Sequence, residues 1–432
     1  MVAMPKAILS NRIYLDTTPS LLEALKAKLT YKIKKPPRPG LTHFSQFDII
    51  KNYKLLPKGI IAIPIGRLDL IPKEYEVIDR RVDEEYPFPE PLLPLRDSQI
   101  DIHAEVTGTC FINAKVGFGK TFLALHIARK LGQKTLVICH NTMLRDQWIE
   151  EVKKLYDMDC GIIGSGKFDI DHTIVVGNIQ SLVKELPRIN KEFGTVVVDE
   201  CHHISSTTLT TVVDGMYAKN KIGLSGTMQR KDGRHILFKD FFGFDLYQPP
   251  QENTMIPSVR LIKTGFSLPE GEAWANKVNA LLYDPDYQEL IAIVAAREIA
   301  TGHKVLIIAD RVEFLQKVGE LIGSECVCII GETSFEQRNE LKRQVEEGEK
   351  SCIVGSRQIF SEGISVNTLS CVILAAPIAN DSLLEQIIGR IQRMCPGKLD
   401  PLVIDMNFSS PSDRRQNKMR LAFYQRQGWE IE

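Results

Sequence analysis

The stretch Cys110–Thr121, CFINAKVGFGKT, decides the fold of the region around it. Its first four residues are typical of a short strand, and the following FLALHIARKLG is typical of a helix. Between them, Gly117 and Gly119 let the backbone wrap a phosphate with its N–H groups pointing inward. Lys120 would reach the β- and γ-phosphates, and the Thr121 hydroxyl would bind Mg²⁺. Because the positive end of the helix faces the same anion, the stretch predicts a site for ATP and Mg²⁺.

This loop departs from the pattern G-x-x-x-x-G-K-[ST] at one position, where Ala114 replaces the first glycine. A second segment, Gly164–Lys167 (GSGK), is superficially similar. There Phe168 occupies the position of the hydroxyl residue, and DIDHTIVV continues as a turn and a strand. We therefore expect Gly164–Lys167 to be a surface turn.

Two neighbouring carboxylates follow a second apolar run, Val196–Val198. Phosphoryl transfer needs a carboxylate for the metal and a group that orients the attacking water. At the end of a buried strand, Asp199 would hold Mg²⁺ through water, and Glu200 would polarise the nucleophilic water. An exposed acidic turn would leave the apolar run unexplained. A zinc site at His202 and His203 is disfavoured, because adjacent side chains diverge.

Apolar, β-branched runs alternate with helical stretches from about residue 95 onward. The first series is CFIN, KTLVIC, TIVVG, GTVVVDE and KIGLS, and the second is HKVLIIA, CVCII, SCIVG, CVILA and PLVID. Alternating strands and helices imply right-handed βαβ units with parallel sheets, so two series imply two α/β domains in tandem. Prolines between Pro87 and Pro94 mark a boundary. We predict an N-terminal accessory domain at 1–90 and α/β domains at 91–250 and 251–432.

The charge balance of the whole chain is neutral. Its 432 residues include 54 Lys and Arg and 54 Asp and Glu, so a polyanion must be held by local patches. Residues 1–40 contain eight basic and two acidic residues, a local charge of +6, with Tyr31 among lysines. Both a DNA contact and a solvated, partly disordered tail account for this segment, and we favour the DNA contact.

Membrane and secretory classes are disfavoured by the sequence. No apolar run approaches the 18 or so residues of a membrane span. Pro5 and Arg12 interrupt the apolar core that a signal peptide would need. The nine scattered cysteines favour reduced thiols. These features predict a cytoplasmic protein with no membrane segment.

The segment Gln386–Arg393, QIIGRIQR, reads as a helix late in the chain. Its apolar residues recur at spacings of three and four, and Gln386, Arg390 and Arg393 would share another face. During cleavage the γ-phosphate develops negative charge, which an arginine finger stabilises. Arg390 and Arg393 belong to the second α/β domain, so they would reach that phosphate only when the two domains close. This arrangement predicts an ATP-driven motor.

The ordered set of motifs resembles that of the superfamily 2 helicases over roughly residues 95–406. The matching segments are Leu95–Gln99, Ala114–Thr121 (motif I), Thr135–Trp148 (motif Ia), Gly177–Leu182, Asp199–His202 (the DExH form of motif II), Leu224–Thr227 (motif III), Lys304–Leu315 (motif IV), Gly355–Ser356 with Ser361–Ser365 (motif V), and Gln386–Arg393 (motif VI). The resemblance implies two tandem RecA-like domains. It also implies that Arg96 and Gln99 belong to an adenine-reading element and that Gly363 lies at the nucleotide.

Gln229–Gly233 resembles the branch that contains XPB and UvsW-like phage enzymes, which act on DNA. The compact length and the closing RLAFYQRQGWEI are similar to tailed-phage members that unwind branched DNA and migrate junctions. The resemblance implies 3′-to-5′ movement of a monomeric motor on single-stranded and branched DNA, in replication, recombination or repair. His140–Asn141, Gly226 and Ser356 depart from the usual residues of motifs Ia, III and V. The candidates for phosphate contacts are Thr142, Gln180, Ser181, Arg311 and Ser356.

Three other functions remain open at this stage. The first is a DExH RNA helicase, and the second is the motor subunit of a restriction-type complex. The third is a DNA clamp whose ATPase has decayed, which the intact residues of motifs I, II and VI disfavour. The ATPase rate with different nucleic acids would separate these functions.

Overall fold

The computed structural model describes residues 4–34, 47–115, 117–201, 207–226, 234–249, 254–362, 366–378, 380–409 and 411–432. The chain divides into two compact units, Met1–Pro250 and Gln251–Glu432. None of the helices in the described ranges has the length and apolar character needed to cross a membrane.

The N-terminal part of the first unit is a folded β-rich layer. Its elements are β1 (Lys6–Leu9), β2 (Arg12–Asp16), α1 (Pro19–Lys28), β3 (Thr30–Lys34), β4 (Phe47–Lys51), β5 (Lys54–Leu56), β6 (Ile60–Pro64) and β7 (Glu76–Asp79). Five of these strands form a sheet in the order β5-β6-β2-β1-β7. Alternate residues such as Ile13, Leu15 and Ile61 are buried on one face and pack against Leu25 of α1. The hypothesis of a disordered tail is therefore wrong for residues 4–34.

Strands β3 and β4 form a separate antiparallel hairpin that packs against the neighbouring α/β layer. Tyr31 and Ile33 are buried in the same hydrophobic cluster as Phe238 and Phe241. The Tyr31 hydroxyl donates a 2.8 Å hydrogen bond to Oδ1 of Asp240. Tyr31 therefore lies in a core and is not among the side chains that could contact DNA.

Further polar contacts join the N-terminal layer to the rest of the first unit. Asn52 donates to Oδ2 of Asp240 at 2.7 Å, and Arg12 forms an ion pair with Asp214. Asp240 is fully buried, and this burial raises the pKa of its carboxyl. The boundary that the prolines predict near residue 90 stays a prediction.

The rest of the first unit contains a parallel α/β sheet. Its elements are α2 (Asp97–Glu105), β8 (Cys110–Asn113), α3 (Lys120–Leu131), β9 (Thr135–Cys139), α4 (Thr142–Tyr156), β10 (Gly161–Gly164), β11 (Lys167–Phe168), β12 (Ile174–Asn178), α5 (Ile179–Ile189), β13 (Thr195–Val198), α6 (Thr207–Gly215), β14 (Asn220–Ser225), α7 (Phe238–Phe242) and β15 (Leu246–Tyr247). The strand order is β11-β10-β12-β9-β13-β14-β8-β15. All neighbours pair in parallel except β10 and β11.

Both faces of this sheet are covered, which explains why its strands are continuous apolar runs. Leu136 and Val196 face one hydrophobic cluster, whereas Val137 and Val197 face the other. The segment Gly164–Lys167 is the two-residue turn of the β10–β11 hairpin, as predicted. Positive φ angles of 53° and 79° at its two central residues suit the twist of such a hairpin.

The second unit is a six-stranded sheet in which every pairing is parallel. Its elements are β16 (Ser258–Lys263), α8 (Trp274–Leu282), α9 (Pro285–Ala300), β17 (Val305–Ala309), α10 (Val312–Ile322), β18 (Cys326–Ile329), α11 (Phe335–Glu346), β19 (Cys352–Ser356), α12 (Arg357–Glu362), β20 (Cys371–Leu374), α13 (Asp381–Ile388), β21 (Leu402–Asn407) and α14 (Pro411–Gln427). The strand order is β16-β21-β20-β17-β19-β18.

The predicted class, α/β with two parallel sheets in tandem after an N-terminal layer, is confirmed. All ten predicted strands are present in the structure. Strands β10, β11, β15 and β16 are additional. Strand β16 was not predicted, because its run SVRLIK carries charged residues at two of six positions.

Candidate functional site

The predicted nucleotide loop connects β8 to α3 at the carboxyl edge of the first parallel sheet. Gly117 and Gly119 have φ angles of 93° and 86°, a region that favours glycine. Helix α3 begins at Lys120, and the N-cap residue Gly119 has no side chain that could cap it. The first N–H groups of the helix are therefore left for an anion, which is the geometry of a phosphate site.

Two residues of the predicted adenine-reading element hold this loop. The buried Gln99 donates from Nε2 to the carbonyl oxygens of Phe118 and Gly119, at 2.9 and 3.2 Å. Arg96 donates from Nη1 to the carbonyl oxygen of Gly117 at 3.2 Å. A Cβ atom on residue 119 would lie 2.8 Å from Nε2 of Gln99, and the residue would have to adopt the positive φ of this position, so glycine is favoured there. The structure thus assigns both residues to the support of the loop, and their contact with adenine stays a prediction.

Lys120 lies close to the loop backbone and to the acidic pair. Its Nζ donates to the carbonyl oxygen of Ala114 at 2.8 Å. Its positive charge partly offsets the rise that burial causes in the pKa of Asp199. A Cβ atom on residue 226 of motif III would lie 3.7 Å from Nζ of Lys120, so the alanine that Gly226 replaces would fit here. Thr121, the second residue of α3, is half-buried.

The acidic pair follows β13, which lies two strands from β8 in the sheet. Asp199 is 8% exposed, and burial together with the charge of Glu200 raises its pKa. The backbone N–H of Glu200 donates to Oδ1 of Asp199 at 2.9 Å. Glu200 has a φ angle of 45°, a conformation that costs about 1–3 kcal/mol in a non-glycine residue and often occurs at functional sites.

Sequence reasoning missed one partner of this pair. Trp148, on α4, donates from Nε1 to Oδ2 of Asp199 at 2.8 Å. The residue lies in the segment that resembles motif Ia, but that resemblance concerns nucleic-acid contacts. Only the order of strands β9 and β13 brings the two side chains together.

These features fit a nucleotide with its metal ion. The glycine loop and the uncapped helix start suit phosphates, and the Asp199 carboxylate suits a hydrated hard cation. His202 and His203, which a zinc site would use, lie outside the described residues. Gly363 also lies outside them, as does Gln229–Gly233.

Three candidates for nucleic-acid contacts lie together at the carboxyl edge of the first sheet. Thr142 is exposed in the first turn of α4, where the Asn141 side chain accepts a 2.8 Å hydrogen bond from the N–H of Leu144. Gln180 and Ser181 begin α5, which follows the strand next to β9. Both helix starts can therefore present N–H groups and side chains to a phosphate.

The other two candidates lie together in the second unit. Ser356 ends β19 and pairs in register with Ala309, the last residue of β17. Arg311 is the N-cap residue of α10, and its Nε donates to Oδ1 of Asn279 at 2.6 Å. Arg357 forms a 2.7 Å ion pair with Asp310 beside them.

The prediction of a continuous helix through Gln386–Arg393 is wrong. Helix α13 ends at Ile388, and the N–H groups of Arg390 and Ile391 donate to carbonyl oxygens three residues back, at 3.1 and 3.0 Å. The chain thus tightens into a 3₁₀-type turn, a common way for a helix to end. Arg393 forms an isolated antiparallel bridge with Thr254 beyond the helix.

The two arginines consequently have different surroundings. Arg390 is 7% exposed, and its Nε donates to the carbonyl oxygen of Phe360 at 2.9 Å. Arg393 is half-buried, and its Nη1 donates to Oδ1 of Asn367 at 3.3 Å. Gln386 is half-buried on α13. The turn that follows α13, and not a shared helix face, sets the directions of both arginines.

Two families match this chain. Residues 92–230 match the family described as "Type III restriction enzyme, res subunit". Residues 286–395 match the "Helicase conserved C-terminal domain". The two matches fall on the two parallel-sheet parts of the chain.

The probable helicase D10 of Escherichia phage T5 is 41% identical over 434 residues, covering 98% of this chain and 95% of that protein. The ATP-dependent DNA helicase uvsW of Enterobacteria phage T4 is 23% identical over 326 residues, covering 68% and 64%. The structure of S. cerevisiae Dbp5 bound to RNA and ADP BeF3 has a TM-score of 0.58 at 13% identity, covering 78% and 89%, and shares the tandem RecA-like fold. The chain therefore belongs to the superfamily 2 helicases and is related to these phage enzymes, a family that uses ATP and binds nucleic acid.

Proposed function

We propose that this chain is an ATP-dependent DNA helicase or translocase that acts on branched DNA. One observation carries the proposal. In the first unit, the phosphate loop, the acidic pair and the candidates for nucleic-acid contacts follow strands of one parallel sheet at its carboxyl edge, and Arg311 and Ser356 lie at that edge of the second sheet. The likeness to D10 over almost the whole chain supports a helicase with this arrangement.

The nucleotide chemistry belongs to the first unit. The loop at Gly117–Thr121 would bind the phosphates, with Lys120 at the β- and γ-phosphates and the Thr121 hydroxyl at Mg²⁺. Asp199 would hold the ion through water. Bound Mg²⁺ neutralises charge that develops on the phosphates. Glu200 would orient the water that attacks the γ-phosphorus and accept its proton.

The second unit would supply the arginines. Arg390 and Arg393 follow α13, and we propose that ATP draws the units together so that their guanidinium groups reach the γ-phosphate. Gln386 would contact the attacking water or the γ-phosphate from the same side. Loss of the γ-phosphate would release the units. Repetition of this cycle would move the protein along a strand.

The strand would lie across the edges of both sheets. Thr142, Gln180 and Ser181 would contact its phosphates from the first unit, and Arg311 and Ser356 from the second. Contacts of this kind carry no sequence information, which suits a motor that moves along any sequence. DNA is favoured by the resemblance of Gln229–Gly233 to DNA-acting relatives and by the name of the T4 protein.

The hairpin β3–β4 is our candidate for recognition of the branch. Its inner face is buried, whereas its outer face exposes Phe47 and Ile49 to 46% and 60%. The exposed Lys32 on β3 pairs in register with Ile49 on β4. The exposed Lys51 is the last residue of β4. Cations interleaved with an aromatic and an aliphatic side chain suit phosphates and unstacked bases.

The decisive experiment measures the ATPase rate with no nucleic acid, single-stranded DNA, duplex DNA, a four-way DNA junction and RNA. We expect DNA to stimulate more than RNA, and forks and four-way junctions to be unwound more readily than blunt duplex. Stronger stimulation by RNA than by any DNA would replace this proposal with an RNA helicase.

A second candidate function is the motor subunit of a restriction-type complex, favoured by the family match at residues 92–230. Such a motor would translocate on duplex DNA without unwinding it. Displacement of a triplex-forming strand from duplex DNA, without separation of forks, would identify this function.

A further inference from the structure

The second unit also has a basic depression on helix α14, outside the nucleotide and nucleic-acid motifs discussed above. The depression has a volume of about 560 Å³. Four cationic side chains line it, Arg414, Arg415, Lys418 and Arg426, against one carboxylate, Asp381. The local charge is therefore +3 in a chain whose net charge is zero.

The opposite face of α14 fixes the helix rigidly in the second unit. Arg420 is 1% exposed, and its Nε donates to both oxygens of Asp405, at 3.0 and 2.8 Å. The Tyr424 hydroxyl donates to the same carboxylate at 2.9 Å. The ring of Trp429 stacks on Tyr424 with centroids 5.9 Å apart. At 100° per residue, the four cations lie on the side of the helix away from these contacts.

Three of the four cations lack protein partners among the described residues. Arg426 forms an exposed 2.7 Å ion pair with Asp381. The side chains of Arg414, Arg415 and Lys418 form no ion pair or hydrogen bond with any described residue. Arg414 also lies in the first turn of α14, where the helix dipole disfavours a positive charge. Arg414, Arg415 and Lys418 lie exposed on the first two turns of α14, where the only acidic residue of the first turn is the buried Asp413, and they form a patch of positive potential that attracts anions.

The position of the depression in the fold indicates which anion it binds. Strand β21 ends at Asn407 and α14 begins at Pro411, so its first turn lies at the carboxyl edge of the all-parallel second sheet. Strands β17 and β19, which precede Arg311 and Ser356, lie two and three positions from β21. At about 4.8 Å per strand, these ends are about 10 and 14 Å away. A strand that contacts Arg311 and Ser356 can continue to α14.

We propose that the basic depression of α14 binds the sugar-phosphate backbone of DNA beyond the strand path defined by the helicase motifs. This proposal rests on the proposed function, because it assumes that DNA lies along the edge of the second sheet. At a rise of about 1.5 Å per residue, Lys418 lies about 6 Å beyond Arg414 along the helix axis and Arg426 about 12 Å beyond Lys418, which lets these three cations meet different phosphates. Met419 and Ala422 complete the lining of the depression.

The test uses the full chain with a triple variant, Arg414→Gln, Arg415→Gln and Lys418→Gln. Binding of a fluorescent forked DNA is measured by anisotropy over a range of salt concentrations. Loss of three phosphate contacts should reduce the magnitude of the slope of log binding constant against log salt concentration by about 2–2.7. The ATPase rate without DNA should stay unchanged, because these residues lie outside the nucleotide site.

The matched control removes three cations from other helices of the second unit, with Arg297→Gln, Lys317→Gln and Lys342→Gln. We expect its salt slope to match that of the unchanged protein. A triple α14 variant with the original slope and affinity would overturn the proposal, while DNA-stimulated ATPase in the unchanged protein would leave the proposed function standing. Binding of polyglutamate is measured in parallel. If the α14 variant loses affinity for polyglutamate but keeps its affinity for DNA, the depression binds acidic protein and the proposal is wrong.

Discussion

Trp148 donates from its indole Nε1 to Oδ2 of Asp199 across 2.8 Å, although the two residues are 51 positions apart in sequence. Both side chains are buried. The indole N–H fixes one carboxylate oxygen and the backbone N–H of Glu200 fixes the other. The carboxylate that would hold Mg²⁺ is therefore positioned before any ion arrives, and Trp148 is a positioning residue for it.

Replacement of Trp148 by phenylalanine should raise the Mg²⁺ concentration needed for half-maximal ATPase severalfold. The smaller phenyl ring keeps part of the apolar packing of Trp148, whereas Oδ2 of Asp199 loses its donor. Loss of a hydrogen bond to a charged group should also lower the free energy of unfolding by about 1.5–3 kcal/mol. The control is Trp274→Phe, because Trp274 is 41% exposed on α8. Unchanged Mg²⁺ dependence in Trp148→Phe would show that the hydrogen bond does not position the ligand.

Replacement of Lys120 by alanine, or of Glu200 by glutamine, should abolish ATP turnover and leave the fold intact. The first change removes the cation of the phosphate loop, and the second removes the group that polarises water. Glu200→Gln should still bind ATP, whereas Lys120→Ala should bind it weakly. Circular dichroism and nucleotide binding are measured with turnover, and near-normal ATPase in a folded Lys120→Ala protein contradicts the assignment.

Alanine replacements at Arg390 and Arg393 should both reduce ATP turnover, and Arg390→Ala should also destabilise the fold. Loss of a full arginine finger should reduce turnover on the order of 10³–10⁵-fold, and by less if the two arginines share the charge. Arg390→Ala should also lower the melting temperature, because it leaves the buried carbonyl of Phe360 without this donor. ATP binding should largely survive in both variants.

The control for the arginines is Arg297→Ala, at a position 76% exposed on its side chain. It should change neither turnover nor melting. Normal hydrolysis in both Arg390→Ala and Arg393→Ala would make the closure model wrong.

Removal of the two exposed cations of the hairpin, with Lys32→Gln and Lys51→Gln, should weaken binding to forks and junctions more than binding to single strands. These side chains flank Ile49 on the outer face, so the buried contacts of Tyr31 are unaffected. The control is Lys28→Gln with Lys73→Gln, both exposed in the same part of the chain. If the hairpin variant and the control variant bind junctions equally well, the hairpin does not recognise the branch.

These point variants replace a deletion of residues 1–90, which the sequence alone would suggest as the test. The structure shows that Tyr31 and Ile33 belong to a core shared with Phe238 and Phe241. A deletion would expose that core, so its effect on DNA binding could not be distinguished from unfolding.

The sequence by itself determined the nucleotide loop, the ten strands and the two-sheet class. A phosphate loop is formed by adjacent residues, and a strand buried on both faces is a continuous apolar run, so both are visible in a short window. The hydrogen bonds between Gln99 and the loop, Trp148 and Asp199, and Tyr31 and Asp240 were decided only by the tertiary structure. Each joins residues whose proximity depends on strand order and layer packing, which local spacing does not encode. The same is true of the end of α13 at Ile388, because apolar spacing continued to Ile391, and only the turn directed Arg390 into the core.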